Sequence, residues 1–276
     1  MRAHTYSLSS AGVCRIAVIV LLGLTALQPS RLLAQTNCEE GAGPLAKTNP
    51  TGTTPEEIIR KFSANETAFK QALTNYTYVM DISVQTLEGD TNTGEFRQVS
   101  DIHWDHGTLK EVVTFAPQSS LRSISLSKED FDDIYRSQFV LTTADLPQYT
   151  VLYAGQQRVD QLDTYVFDVA PKQMEKGIRY FQGRIWVDKI DMVLIKACGK
   201  SVPDAIPQPR AKKKKKKRGD VEENISPTIV TFRELVDGKY WFPTYMRSDE
   251  ILHFPTTDVH VKEVIKFKQF KAPGND

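Results

Sequence analysis

The chain has 276 residues, of which 40% are hydrophobic and 25% charged, with 15 Gly, 14 Pro and a formal net charge of +1. These proportions are globular and exclude fibrous, collagen-like and wholly disordered classes. Its 13 Phe, 10 Tyr and 3 Trp can fill a sizeable core, and 3 Cys are too few for a disulfide-stapled mini-scaffold.

Arg2 and Arg15 precede an apolar run from Ile16 to Leu27, followed by Gln28-Pro29-Ser30 and a small residue at Ala34. The run is well short of the roughly 20 residues needed to span a bilayer, so residues 1–34 read as a secretory signal peptide cleaved after Ala34. Neither Cys14 nor Cys38 follows a lipobox-like sequence, so the mature chain is expected to be unlipidated, exported and periplasmic. Cleavage removes Arg2, Arg15 and Arg31 and no acid, leaving a mature chain with more acids than bases.

Residues 35–53 are rich in Gly, Pro, Asn and Thr and read as a flexible leader. Thr54-Pro55-Glu56-Glu57 then gives an N-cap, a proline at the first helical position and a glutamate three residues after the cap. Ile58, Phe62, Phe69 and Leu73 form one stripe, which predicts an amphipathic helix over about 55–74. After Asn75 the period becomes two. Tyr76, Tyr78, Met80, Ile82 and Val84 share a face, as in a half-buried antiparallel strand. Phe96 to Trp104 and Leu109 to Phe115 flank the turn Asp105-His106-Gly107 and read as a hairpin.

Ser127-Lys128-Glu129-Asp130 is a second capping pattern, with Phe131, Ile134 and Tyr135 on one side of a short helix. Strands are then expected over 150–160, 164–170, 178–188, 192–199, 228–236, 240–254 and 258–270. On the last of them Val259, Val261, Ile265 and Phe267 oppose His260, Lys262, Lys266 and Lys268. Strands do not alternate with helices, which argues against a parallel sheet. The fold class is mainly β (α+β): one long antiparallel sheet of about ten strands curled into an unclosed β-barrel, with the two helices as covers. The domain organisation is a signal peptide over 1–34, a leader over 35–53 and a single half-barrel domain over 54–272, with a disordered basic loop at about 203–226.

That loop places Arg210, Lys212, Lys213, Lys214, Lys215, Lys216, Lys217 and Arg218 within nine positions. Such a tuft either attracts acidic lipid headgroups or is a self-repelling solvated loop. No aromatic residue interleaves the lysines, so no nucleic-acid partner is expected. Cys38 and Cys198 survive processing. An even pair in an oxidising compartment admits a disulfide, the alternative being a free Cys38 and a buried Cys198.

No nucleophile elbow, phosphate loop, dinucleotide fingerprint or H-E-x-x-H occurs, and no catalytic residue, metal site or cofactor is expected. His103 and His106 are three apart on a strand and its turn, which is not a ligand spacing. The acids Glu129, Asp130, Asp132 and Asp133 suit the positive end of the helix they open.

Phe181-Gln182-Gly183-Arg184-Ile185-Trp186-Val187-Asp188, with Met192-Val193-Leu194-Ile195-Lys196 after the turn, resembles a signature of bacterial outer-membrane lipoprotein-sorting-like proteins. Gly238-Lys239-Tyr240-Trp241-Phe242-Pro243-Thr244 resembles their later hairpin, and the likeness spans most of 55–270. It implies a LolA-like or RseB-like half-barrel whose apolar face, capped by helices, accepts acyl chains. On that resemblance the expected function is a monomeric, non-enzymatic carrier of lipid or lipoprotein acyl chains. The alternative is an envelope-stress regulatory protein of the RseB type. The expected cavity or lid residues are Phe131, Ile134, Tyr135, Phe96, Trp104 and Trp186. A cavity arginine of the family has no matching position in these motifs, and none is carried over.

Overall fold

Thr54 and Pro55 open the first helix by the chemistry expected of them. In the computed structural model, which describes residues 35–138, 141–204, 226–254 and 257–272, the Thr54 hydroxyl accepts the Glu57 N–H at 3.2 Å. Helix α1 runs Pro55–Leu73. Ile58, Phe62, Phe69 and Leu73 are all buried. The expected signal peptide and the lysine run lie outside the described residues.

Ten strands form one sheet: β1 (Thr77–Glu88), β2 (Thr91–Asp105), β3 (Thr108–Phe115), β4 (Tyr149–Val159), β5 (Leu162–Pro171), β6 (Tyr180–Asp188), β7 (Leu194–Val202), β8 (Ile229–Val236), β9 (Tyr240–His253) and β10 (Asp258–Lys271). The spatial order is β3-β2-β1-β10-β9-β8-β7-β6-β5-β4. Every neighbouring pair is antiparallel. With β3 at one end and β4 at the other, the sheet is open rather than closed into a barrel. The chain reaches β4 from β3 through helix α2 (Lys128–Ser137), which packs on the same face as α1, here called the inner face. Two tight hairpins share one turn chemistry: φ is positive at both His106 and Gly107, and at both Asp237 and Gly238. That is the type I′ geometry that matches strand twist.

Burial explains why the strands differ in pattern. On β1, Tyr78, Met80, Ile82 and Val84 are buried and alternate with more exposed residues, because one face is covered. β5, β6 and β7 are buried on both faces. Their inner residues Phe167, Ile185, Val187 and Leu194 pack against Ile58 and Phe62 of α1. Their opposite face carries Val166, Trp186, Ile195 and Cys198, which pack with Cys38, Ala42 and Leu45. Near-continuous apolar runs are what two-sided burial requires.

The expected flexible leader is corrected here. Residues 36–48 form a strap on the outer face and along the free edge of β4. Ala46 and Gln156 exchange both backbone hydrogen bonds at 2.8 Å, Gly43 N–H reaches Arg158 O at 2.8 Å, and Asp160 N–H reaches Gly41 O at 2.8 Å. Cys38 is bonded to Cys198 of β7, with their Cα atoms 5.6 Å apart. The buried Lys196 donates its ammonium to Glu40 O at 2.7 Å. Composition misleads here because pairing with a vacant strand edge uses backbone groups, which Gly-rich and Pro-rich segments also own.

Candidate ligand-binding cavity

After β3 the chain turns back along β2, where Ser120 N–H donates to Glu95 O at 2.9 Å and Arg122 N–H to the Thr86 hydroxyl at 3.4 Å. It then crosses the inner face carrying Leu121, Ile124 and Leu126, which pack against the main core. Ser127 caps α2: its hydroxyl accepts the Asp130 N–H while the Asp130 carboxylate accepts the Ser127 N–H at 2.6 Å, a reciprocal capping box.

Between this crossing segment, α2 and strands β1, β9 and β10 lies a cavity of about 360 Å³. Its apolar wall includes Val84, Leu126, Ile134, Leu252, Phe254 and Val261. Its polar wall holds Glu263, Asp130 and Asp133 with several serines. Glu263 is 8% exposed and has no hydrogen bond or ion pair among the described residues. Burial first, and then the negative charges of Asp130 and Asp133, push its carboxyl up to about 7. Asp133 is already paired, with Arg136 at 2.7 Å and with the largely buried Arg179.

A second cavity of about 380 Å³ lies on the other side of α2, lined by Phe69, Tyr78, Trp104, Tyr135, Tyr149 and Phe181 among others. The buried Trp104 Nε1 has no hydrogen-bond partner there. Tyr135 donates to Glu111 Oε2 at 3.3 Å. Burial first, then the charge of Glu111, raises the Tyr135 phenol, and burial likewise raises that of Tyr78. Helix α2 thus walls both cavities. Its C-terminal end is held by the sheet, with the Thr231 hydroxyl on Ser137 O at 2.8 Å and Arg233 on Gln138 O at 3.3 Å. At its N-terminal end the capping bonds are local to residues 127–130, and Phe131 meets Phe96 at 5.9 Å between ring centroids.

The sequence candidates therefore divide. Ile134 lines the first cavity, and Tyr135 and Trp104 the second. Phe131 and Phe96 pack on each other at the margin of the core rather than lining either space. Trp186 is a correction. It is fully buried on the opposite face, where its Nε1 donates to Gln157 Oε1 at 2.7 Å and the Lys196 ammonium stands 4.6 Å from its ring. Strand alternation sends it there because its neighbours Ile185 and Val187 point inward.

Two acids escaped the sequence reading although the pattern contains them. Glu263 falls between Val261 and Ile265 on the apolar face of β10, and Glu66 falls on the apolar stripe of α1 between Phe62 and Phe69. Glu66 meets Arg233 of β8 through two hydrogen bonds, 2.7 and 3.0 Å, with both side chains nearly inaccessible. Burial raises the Glu66 carboxyl, and the guanidinium opposes that rise. Arg233 also lies 4.6 Å over the Phe69 ring, so one group ties α1, β8 and the end of α2 together. Among the described residues no group of three or more His, Cys, Asp or Glu could hold a metal ion, and no helix is long and apolar enough to cross a membrane.

No family model matches the sequence, and no curated protein matches it. Solved structures are similar at low identity. The chain is similar to a LolA superfamily protein from Nitrosomonas europaea, at 12% identity over 80% of this chain and 94% of that one, with a TM-score of 0.36. It is also similar to a domain described as an outer membrane lipoprotein-sorting protein from Vibrio parahaemolyticus, at 10% identity over 76% and 90% of the two chains, with a TM-score of 0.37. A third likeness is to the Pseudomonas aeruginosa MucA/MucB complex, at 9% identity over 76% and 98%, with a TM-score of 0.22.

Proposed function

We propose that this chain is an exported periplasmic carrier, not an enzyme, that holds lipid or lipoprotein acyl chains during outer-membrane lipoprotein sorting. The observation that supports this reading is the cavity of about 360 Å³ whose apolar wall is split between the open sheet and a helix that is held from Asp133 onward, its first turn resting on the sheet through Phe131 against Phe96. Ligand pockets are of this size and character, largely apolar with a few convergent polar groups. Burying an alkyl chain contributes about 0.8 kcal/mol per CH₂, so affinity needs no charged contact. The α2 helix would move with its N-terminal end to admit or release the chain.

Native mass spectrometry of the protein purified without detergent tests this. Discrete added masses that extract as acylated lipid are the expected result. A protein that carries no lipid and takes up no fluorescent acyl probe would refute the carrier reading.

A further inference from the structure

The geometry points to a headgroup preference in this cavity: it takes an alkyl chain that ends in a protonated amine, with Glu263 as the group that receives the ammonium. The inference rests on the cavity being a ligand site and concerns which class of amphiphile it prefers. Its basis is a mismatch of charge and partners. Glu263 is more than nine-tenths buried, lines the cavity and has no partner among the described residues. Buried carboxylates in folded proteins are ordinarily paired or hydrogen-bonded, because an unpaired one keeps a large desolvation cost.

The surroundings offer Glu263 no relief. On the neighbouring strand Val84 lies opposite it, and Ser248 is its register partner on β9. The diagonal neighbour Glu250 is an acid that already accepts the Thr228 N–H at 3.2 Å. From α2, Asp130 is occupied by Ser127, and Asp133 by Arg136 and Arg179. Lys262 and Lys266 flank Glu263 in sequence but belong to the other face of β10. The cavity therefore holds three acids beside a wall of aliphatic side chains: Asp133 is paired with two guanidiniums, Asp130 is bonded to Ser127 alone, and Glu263 has neither a counter-charge nor a hydrogen bond among the described residues. An anionic head such as a fatty-acid carboxylate would meet repulsion from Glu263 and Asp130, the two acids without a counter-charge. An ammonium would satisfy Glu263 directly while its chain lies along Val84, Leu252 and Val261.

Isothermal titration of the purified chain at pH 8 with decylamine, decanol and decanoate, each below its micelle concentration, separates the possibilities. Decylamine is expected to bind at least tenfold more tightly than decanol, and decanoate more weakly than both. In Glu263→Gln, which preserves shape, the amine preference should collapse to about onefold while decanol binding does not weaken. Equal binding of amine and alcohol by the unmodified protein, or an amine preference that survives Glu263→Gln, overturns the headgroup assignment and leaves the acyl-chain cavity standing. Absence of binding by all three overturns the cavity reading and this inference with it.

Discussion

Two buried acids show how one residue type acquires opposite roles from its neighbours. Glu66 is held by a guanidinium through two bonds, so removing either partner strands a buried charge. Such breaks cost about 3–5 kcal/mol, whereas replacing both partners by apolar groups of similar volume is often neutral. Glu66→Leu alone and Arg233→Met alone should each lower the unfolding free energy by that amount. The Glu66→Leu/Arg233→Met double variant should recover most of the loss in urea titrations, and additive losses would argue against the pair as a unit. Glu263 has no such partner, and its pH dependence has the reverse sign from that of an ordinary surface carboxylate. Its folded-state carboxyl, at about 7, lies above the ordinary 4.5. The folded protein therefore holds a proton that the unfolded chain releases between those values. Its contribution is fully present below pH 4.5, falls as pH rises toward 7, and is constant above that. Relative to Glu263→Gln, the unmodified protein should lose on the order of 3 kcal/mol between pH 4.5 and pH 8. Parallel stability curves for the two proteins would contradict the burial of an unpaired acid.

At the scale of elements, the two helices cover one face but are fastened differently. Ile58 and Phe62 of α1 are fully buried, and the Glu66–Arg233 pair fixes its middle to β8. The first turn of α2 rests on Phe131 against Phe96, while Asp133 on Arg179, and Thr231 and Arg233 at the far end, hold the rest. Segments with few buried contacts open at low free energy. Amides of residues 129–132 should accordingly exchange hydrogen much faster than those of residues 60–70, and slow when an acyl ligand is added. Equal protection of both helices, unchanged by ligand, would make α2 plain core. The helices, the strands and their antiparallel sense were legible in the sequence because each spans enough residues to repeat its period, whereas the pairing of β1 with β10, which joins the two ends of the chain's strand series, was not. Glu263 and Glu66 were legible as interruptions of those periods, provided the interruption is counted as part of the face. The side of the sheet taken by Trp186 was not legible, because β6 is apolar on both faces and alternation alone cannot assign an inner one. Nor was the course of residues 36–48, whose attachments are backbone pairs and one covalent bond formed with strands far along the chain.

For the whole molecule, the sheet's two ends are managed differently. β3 leaves Val112, Val113 and Phe115 about half exposed, whereas β4 has its free edge occupied by the strap. The strap also adds a second layer over β5 to β8, where Val166, Trp186 and Val230 would otherwise meet water. Its covalent anchor joins residues 160 positions apart. In the chain-entropy account, closing a loop of that length restrains the unfolded chain by about 5 kcal/mol, with measured values often smaller. The strap also contributes backbone pairs to the β4 edge and apolar burial beneath it, and both depend on its staying close. Cys38→Ser should therefore lower the unfolding free energy by roughly 2–5 kcal/mol in guanidinium titrations. A loss below about 1 kcal/mol would show that the pairing along β4 holds the strap without its bond. Although the strap reaches the neighbourhood of the cavity through Thr36, on Ser248 at 3.3 Å and Asp249 N–H at 3.0 Å, the cavity residues Val84, Ile134 and Val261 lie on the opposite face from Cys38. Uptake of a fluorescent acyl probe under native conditions should then match that of the unmodified protein, so that the strap acts on the stability of the sheet and the helices on access to it.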